Sequence, residues 1–453
     1  MPATEFDPHL AAQLHNQIFE RAWVGAGRDV SSLPSKSWWG ESSPVPFDLA
    51  SRLNPKLIQF LRSAKAIIFD PSSDFHLFYY LIALHGKDDI LDVQDSPLRR
   101  WGDDRLVWLY PSTRTESDEE IGILFDQETE LASFVPDWGD LIWFDLERWP
   151  WRPLQCILQA YLDMIDEGKL TTYSDRGKRY SDQLIRVFPW EFHQYTPVDV
   201  ERAVSAFTRL LDAIEARLPS SSIHHGLEQQ SLGQIPLPYP ESVLRASSIE
   251  VDSFTGQFLS GLPVRQLDFR YIAPGIRVQS SDEFINQPFA ERSTDDEPSF
   301  PLLLFRGEQE NKSPWVRPWF PGGNTEDIPA GLYVEPVEDC CSWKSSNDSR
   351  LLLPYEIGHS GFARSSNGLP FIKQARGGST ESDQLYRSDS FSGYSGYLPW
   401  DSRSSYLHKV LENWVDRVET GDWLVGEDGV VGGIEKFKEA DTKEHWQEYV
   451  IPW

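Results

Sequence analysis

Ala66-Ile67-Ile68-Phe69-Asp70-Pro71-Ser72-Ser73-Asp74 reads as a buried strand delivered into a tight turn. An unbroken apolar run is the pattern of a strand covered on both faces, and the Pro-Ser-Ser that follows turns the chain. Phe75 to Gly86, mostly apolar, predicts a helix after that turn. Further strands are expected at Leu106–Tyr110, stopped by Pro111, at Ile121–Phe125 and at Leu141–Phe144, before a helix over Pro153–Glu167. Strands alternating with helices point to βαβ units and a partly parallel sheet. The expected fold class is therefore α/β (mixed).

Outside this segment, Pro8–Trp23 predicts an amphipathic helix with Leu10, Leu14, Ile18 and Phe19 on one face, and Pro55–Arg62 a shorter one. Val198–Leu218 reads as a long helix capped by Thr196, with Pro197 in the favourable first position. The Ser-, Gln- and Pro-rich stretch Pro219–Pro240 is the best linker candidate. Beyond it, short β-like runs sit between Pro/Gly/Ser loops: Arg270–Ile272, Leu302–Phe305, Leu332–Val334 and Leu351–Tyr355. Asp422–Val431 reads as a hairpin turning at Glu427-Asp428-Gly429, and Ile434–Tyr449 as a last helix. The resulting division is an α/β part (1–218), a β- and loop-rich part (219–400) and C-terminal helices with a hairpin (401–453).

One motif occurs twice. Ile157–Leu170 and Val410–Trp423 each place apolar residues at helical spacing, an aromatic mid-helix (Tyr161, Trp414), an Asp two residues later, and a stop-signal glycine (Gly168, Gly421). Both rings are expected to be buried.

The 453 residues carry 18 Trp, 16 Tyr and 25 Phe against 2 Met, so rings take much of the space that Leu and Met usually fill. A net charge of −28 repels nucleic acid and anionic membrane unless basic residues are segregated on one face. The densest basic stretches, Arg176-Gly177-Lys178-Arg179 with Arg186, and Arg99-Arg100 with Arg105, are short and interleaved with Asp. DNA and membrane are not expected partners. Three cysteines, Cys156 and the adjacent Cys340-Cys341, make no disulfide framework, and no basic-then-apolar leader opens the chain. A cytoplasmic location follows as the expectation.

Metal and cofactor signals are missing: the ten histidines form no His-x-x-x-His, and neither a Cys-x-x-Cys nor a phosphate loop occurs. Chemistry has one natural seat, since open α/β sheets bind ligands at the carboxyl ends of their strands. The turn Asp70–Asp74 offers two hydroxyls and two carboxylates, with His76 close behind, so Ser72, Ser73, Asp74 and His76 are the catalytic candidates and Asp70 a substrate-binding one. The same residues also serve as a helix cap and a turn brace. Arg270 and Arg277 flank a Pro-Gly turn and suit a carboxylate or phosphate. Glu356, His359 and Arg364 bring charge of both signs to the glycine-rich loop Glu356–Ser365. For these arginines and this loop, structural ion pairing is the competing role.

Four segments carry a resemblance: Tyr271–Val278, Gly361-Phe362-Ala363-Arg364-Ser365, Trp414 through Gly421 to Gly429–Ile434, and the tail Ala440-Asp441 to His445-Trp446-Gln447-Glu448-Tyr449-Val450-Ile451-Pro452-Trp453. Together they resemble a group of fungal cytosolic proteins and, through it, the fungal arginine-containing cyclodipeptide synthases. The resemblance implies an enzyme that takes arginyl-tRNA and a second aminoacyl-tRNA and releases a cyclic dipeptide; that no cofactor is expected follows from the missing metal and phosphate motifs. No catalytic residue of that family maps onto a position here. Two other classes compete: a non-catalytic scaffold docking through the paired helices, and a tailoring enzyme acting on an aromatic substrate.

Overall fold

The computed structural model describes residues 5–40, 45–46, 48–66, 75–79, 81–91, 104–112, 120–137, 151–174, 186–193, 195–219, 235–289, 301–312, 328–334, 349–364, 382–386 and 406–451. They group into two compact units, Met1–His193 and Gln194–Trp453. Helices and strands are both well represented, in the expected α/β (mixed) class.

In the first unit, α1 (Pro8–Gly25) starts where the Asp7 carboxylate accepts the N–H groups of His9 and Leu10 at 2.9 and 3.0 Å. It buries Ala11, Leu14, His15, Ile18 and Phe19, while Leu10 is 40% exposed, so the apolar stripe starts one residue later than expected. This stripe packs on α2 (Pro55–Ser63) and α3 (Leu154–Asp166). Tyr161 on α3 is buried, and its hydroxyl donates to the Tyr79 carbonyl at 3.2 Å.

The strands β1 (Leu106–Pro111), β2 (Glu120–Asp126) and β3 (Leu131–Asp137) form an antiparallel meander. A second antiparallel sheet has the order β4-β6-β5, from β4 (Leu170–Thr172), β5 (Arg186–Val187) and β6 (Trp190–Phe192). Every strand pairing described in this unit is antiparallel; the parallel one lies in the second unit.

Phe75–Gly86 is not the expected helix. Phe78 N–H donates to the Leu81 carbonyl and Leu81 N–H to the Phe78 carbonyl, both at 3.1 Å, closing a tight turn. Phe75, Leu77, Phe78, Tyr79, Leu81, Ala83 and Leu84 are all buried. Burial of most described residues of this segment keeps its sequence apolar nearly throughout, which blurs the periodicity that separates helix from strand. The strand expected at Ala66–Asp70 lies outside the described residues beyond Ala66, as does all of Leu141–Phe144.

In the second unit, α4 (Pro197–Glu215) opens with a capping box. The Thr196 hydroxyl accepts from Asp199 N–H, and the Asp199 carboxylate accepts from Thr196 N–H at 2.8 Å. It packs along α5 (Leu407–Thr420), which buries Trp414 and ends on Gly421 in the left-handed conformation. The two repeated motifs thus lie in different units, each with its ring buried.

Strands β7 (Ile235–Leu237) and β8 (Arg265–Leu267) pair with each other. The main sheet runs β14-β13-β12-β11-β10-β9-β16-β15. Its members are β9 (Tyr271–Ala273), β10 (Ile276–Arg277), β11 (Leu302–Asn311), β12 (Ile328–Val334), β13 (Ser349–Ile357), β14 (Ser382–Leu385), β15 (Val425–Gly426) and β16 (Gly429–Val430). Neighbours are antiparallel except β9 and β16, which meet in parallel at Tyr271 and Gly429. A side chain on Gly429 would lie 2.2 Å from the Tyr271 carbonyl oxygen, so this junction requires glycine.

The final helix is broken. Two 3-10 segments, Ile434–Asp441 and Trp446–Tyr449, are separated at Thr442, whose backbone is extended. Thr442 turns its hydroxyl onto the Glu439 carbonyl at 2.8 Å, the local competition by which Ser, Thr and Asp interrupt helices. Among the described residues, no helix is long and apolar enough to cross a membrane.

Candidate functional site

Where β13 runs out at Ile357, the chain enters a loop whose polar backbone groups are held from two sides. Asp441, at the end of the first 3-10 segment, accepts four backbone N–H groups. Its Oδ2 takes Gly358 and Ser360 at 2.9 and 2.8 Å, and its Oδ1 takes Phe362 and Ala363 at 2.9 and 3.0 Å. Bonds of this kind to an ionised acceptor are about twice as strong as neutral ones. From the other side, Arg364 Nη1 donates to the carbonyls of Gly361, Phe362 and Ala363 at 2.9, 2.7 and 3.2 Å. The guanidinium rests 4.5 Å over the Trp446 ring. Glycine at 358 and 361 supplies the positive φ values, 106° and 77°, that let the loop curl around the carboxylate.

This loop walls a cleft of about 680 Å³. Asn311 and Lys312 reach it from the end of β11, Tyr355 and Glu356 from β13, His359 and Ser360 from the loop, Lys438 and Asp441 from the first 3-10 segment, and Thr442 from just beyond it. Its size and a few convergent polar groups fit a small-molecule site. Tyr355 donates its hydroxyl to the Ile434 carbonyl at 2.6 Å and carries the Lys438 ammonium 4.6 Å over its ring. Burial, then the negative charge of Glu435, pushes the Tyr355 phenol well above its ordinary range, so it is protonated at neutral pH. Lys438 also pairs with Glu435.

The sequence candidates fall in three places. Asp70, Ser72, Ser73 and Asp74 lie outside the described residues, while His76 is half-buried in the first unit with its N–H on the Phe188 carbonyl at 2.8 Å. Arg270 pairs with Asp428 at 2.7 Å, and Arg277 grips both carboxylate oxygens of Glu283 at 2.7 Å. Arg277, with help from the Ser280 backbone, brings the Glu283 carboxyl down to about 2. Glu356, His359 and Arg364 do come together: the first two line the cleft and the third braces its wall. Of the basic stretches, Arg105 is engaged with Asp126 and Glu128, both at 2.9 Å, and the clusters at 99–100 and 176–179 lie outside the described residues.

Asp441, Lys438 and Tyr355 were not legible as site residues. Nor was a set that folding assembles from Glu439, His445 and Glu448, whose ligating atoms lie within 4.8 Å of one another. That set already has internal cations. Lys436 Nζ is 2.7 Å from Glu439, Arg417 is 3.6 Å from Glu448, and His445 Nδ1 is 2.9 Å from Glu448. We read it as an ion-pair network.

All four segments of the resemblance interlock in the second unit. Asp441 and Trp446 of the tail hold Phe362, Ala363 and Arg364. Gly275 packs so close to Ile434 that a side chain there would lie 2.3 Å from its backbone nitrogen, and Tyr271 N–H donates to the Asp428 carbonyl at 3.0 Å. Compared with family models, with curated proteins and with solved structures, the chain finds no match.

Proposed function

We propose that the cleft of the second unit binds a small ligand carrying charge of both signs. We further propose that this ligand is the arginyl group of an aminoacyl donor, the chain being a cyclodipeptide synthase. The supporting observation is the cleft lining, which brings together Glu356, Lys312, Lys438 and His359 with Ser360 and Thr442. A carboxylate suits a guanidinium, which it can accept bidentately, and the cationic groups suit a carbonyl or carboxylate oxygen. The arginyl identity comes from the sequence resemblance. Two aminoacyl-tRNAs giving one cyclic dipeptide and two free tRNAs is a balanced reaction needing no redox partner. From the sequence alone, Ser72 or Ser73 is proposed as an acyl acceptor, with Asp74 or His76 managing the proton; these residues belong to the first unit and are tested separately from the cleft.

The net charge of −28 favours a second reading, a protein that binds its small ligand without tRNA. One experiment separates them: mass spectrometry of extracts from a host expressing the chain. New arginine-containing cyclic dipeptides support the synthase, and their absence beside soluble, folded protein rules it out.

A further inference from the structure

We infer that Asp441 and Arg364 are positioning residues of the cleft, fixing the loop that presents His359 and Ser360 to the ligand; this rests on the reading of the cleft as a ligand site. A glycine-containing loop that leaves a strand end has no regular ladder to define it, so its shape depends on whatever satisfies its N–H and C=O groups. Here the two sets are satisfied by different residues. The Asp441 carboxylate collects the amides of 358, 360, 362 and 363, and the Arg364 guanidinium collects the carbonyls of 361, 362 and 363. His359 and Ser360 lie within the first half of this clamped arc and line the cleft. Asp441 lines it too, with both oxygens committed to the loop, so its carboxylate serves the geometry of its neighbours.

Asp441→Asn keeps the shape but turns one acceptor oxygen into an N–H donor facing two N–H groups. Arg364→Ala loosens the same loop from the carbonyl side and leaves Asp441 intact, so it carries the test if the first variant does not fold. The probe is L-argininamide, titrated calorimetrically into the unaltered protein and both variants, alongside NMR signals of the His359 imidazole. Each variant is expected to weaken binding by about tenfold or more, the equivalent of one charge-assisted hydrogen bond. The His359 signals shift and broaden, while melting of the unit changes little for Arg364→Ala. If both variants bind argininamide as the unaltered protein does, the positioning role is overturned and the ligand site stands. If the unaltered protein does not bind it, the arginyl reading is overturned, and this role with it.

Discussion

The Nδ1 of His15 lies 2.8 Å from the hydroxyl of Tyr110, while its Nε2 lies 2.8 Å from the Lys65 carbonyl oxygen, all inside the first unit. A carbonyl only accepts, so Nε2 carries the hydrogen and Nδ1 accepts from the tyrosine. Burial is the main reason the imidazole stays neutral, lowering its pKa to about 4. Between the ordinary value near 6.5 and 4, the unfolded chain binds a proton that the folded one does not. Stability therefore falls as pH falls through that window, by about 3 kcal/mol from this group. Urea unfolding of the unaltered protein and of His15→Gln at pH 7 and pH 4.5 should show the steeper loss in the former. Equal losses would dismiss the assignment.

Trp414 is fully buried, donates its indole N–H to the Tyr386 hydroxyl at 3.3 Å and packs 6.1 Å from the Trp423 ring. Trp414→Ala should destabilise the second unit by about 3–5 kcal/mol, and Trp414→Phe by less, since most of the volume survives. Calorimetric melting checks this; a loss below about 1 kcal/mol would mean the site collapses freely.

The Glu283 carboxyl, held near 2 by Arg277 and the Ser280 cap, should titrate in the ordinary carboxylate range in Arg277→Met. Because its folded pKa is depressed, its contribution is present above the unfolded value and lost as pH falls toward 2. Glu283 is partly exposed, so that contribution is about 1 kcal/mol or less. Carboxyl carbon NMR of the two proteins reads the shift directly, and an unchanged midpoint would contradict it.

Zinc added to the purified protein should leave its melting temperature unchanged, because Lys436 and Arg417 already neutralise Glu439 and Glu448. A saturable rise at one equivalent, abolished by His445→Ala, would show a metal site instead.

Glu356→Gln should remove product while the melting temperature is kept, since it touches the cleft lining. Ser72→Ala and Ser73→Ala, measured for both yield and melting, decide the role of these two serines. A hydroxyl that accepts an acyl group costs all activity when removed, whereas the helix-cap role falls with the helix expected at Phe75–Gly86. Full activity in both serine variants would clear Ser72 and Ser73 of any catalytic part.

What the sequence displays well is whatever is encoded within a few residues. The capping of α4 by Thr196 and Pro197, the glycine ends of α3 and α5, and the hairpin turning at Glu427-Asp428 all stand as read. Phe75–Gly86 misled because burial of most of its residues blurs the period, and Ile434–Tyr449 because Thr442 trades the helix for a bond to Glu439. The site was half legible. Glu356, His359 and Arg364 were visible as a charged glycine-rich loop, but Asp441 meets that loop from 78 to 83 residues away. No local pattern marks a carboxylate whose partners are all distant backbone amides.

The hairpin β15–β16 completes the main sheet beside β9, joined through Arg270 and Asp428, which are 158 residues apart. α5, which covers α4, also comes late in the chain. A chain made as far as residue 400 has most of the sheet, yet one flank of β9 and the stripe of α4 that α5 covers still lack their partners. Those surfaces close only once residues 407–430 have emerged, so completion of the second unit waits for a hairpin whose Asp428 is made 158 residues after Arg270 beside β9. A nascent chain stalled in that interval is the form in which this protein is most exposed to aggregation and to chaperone capture.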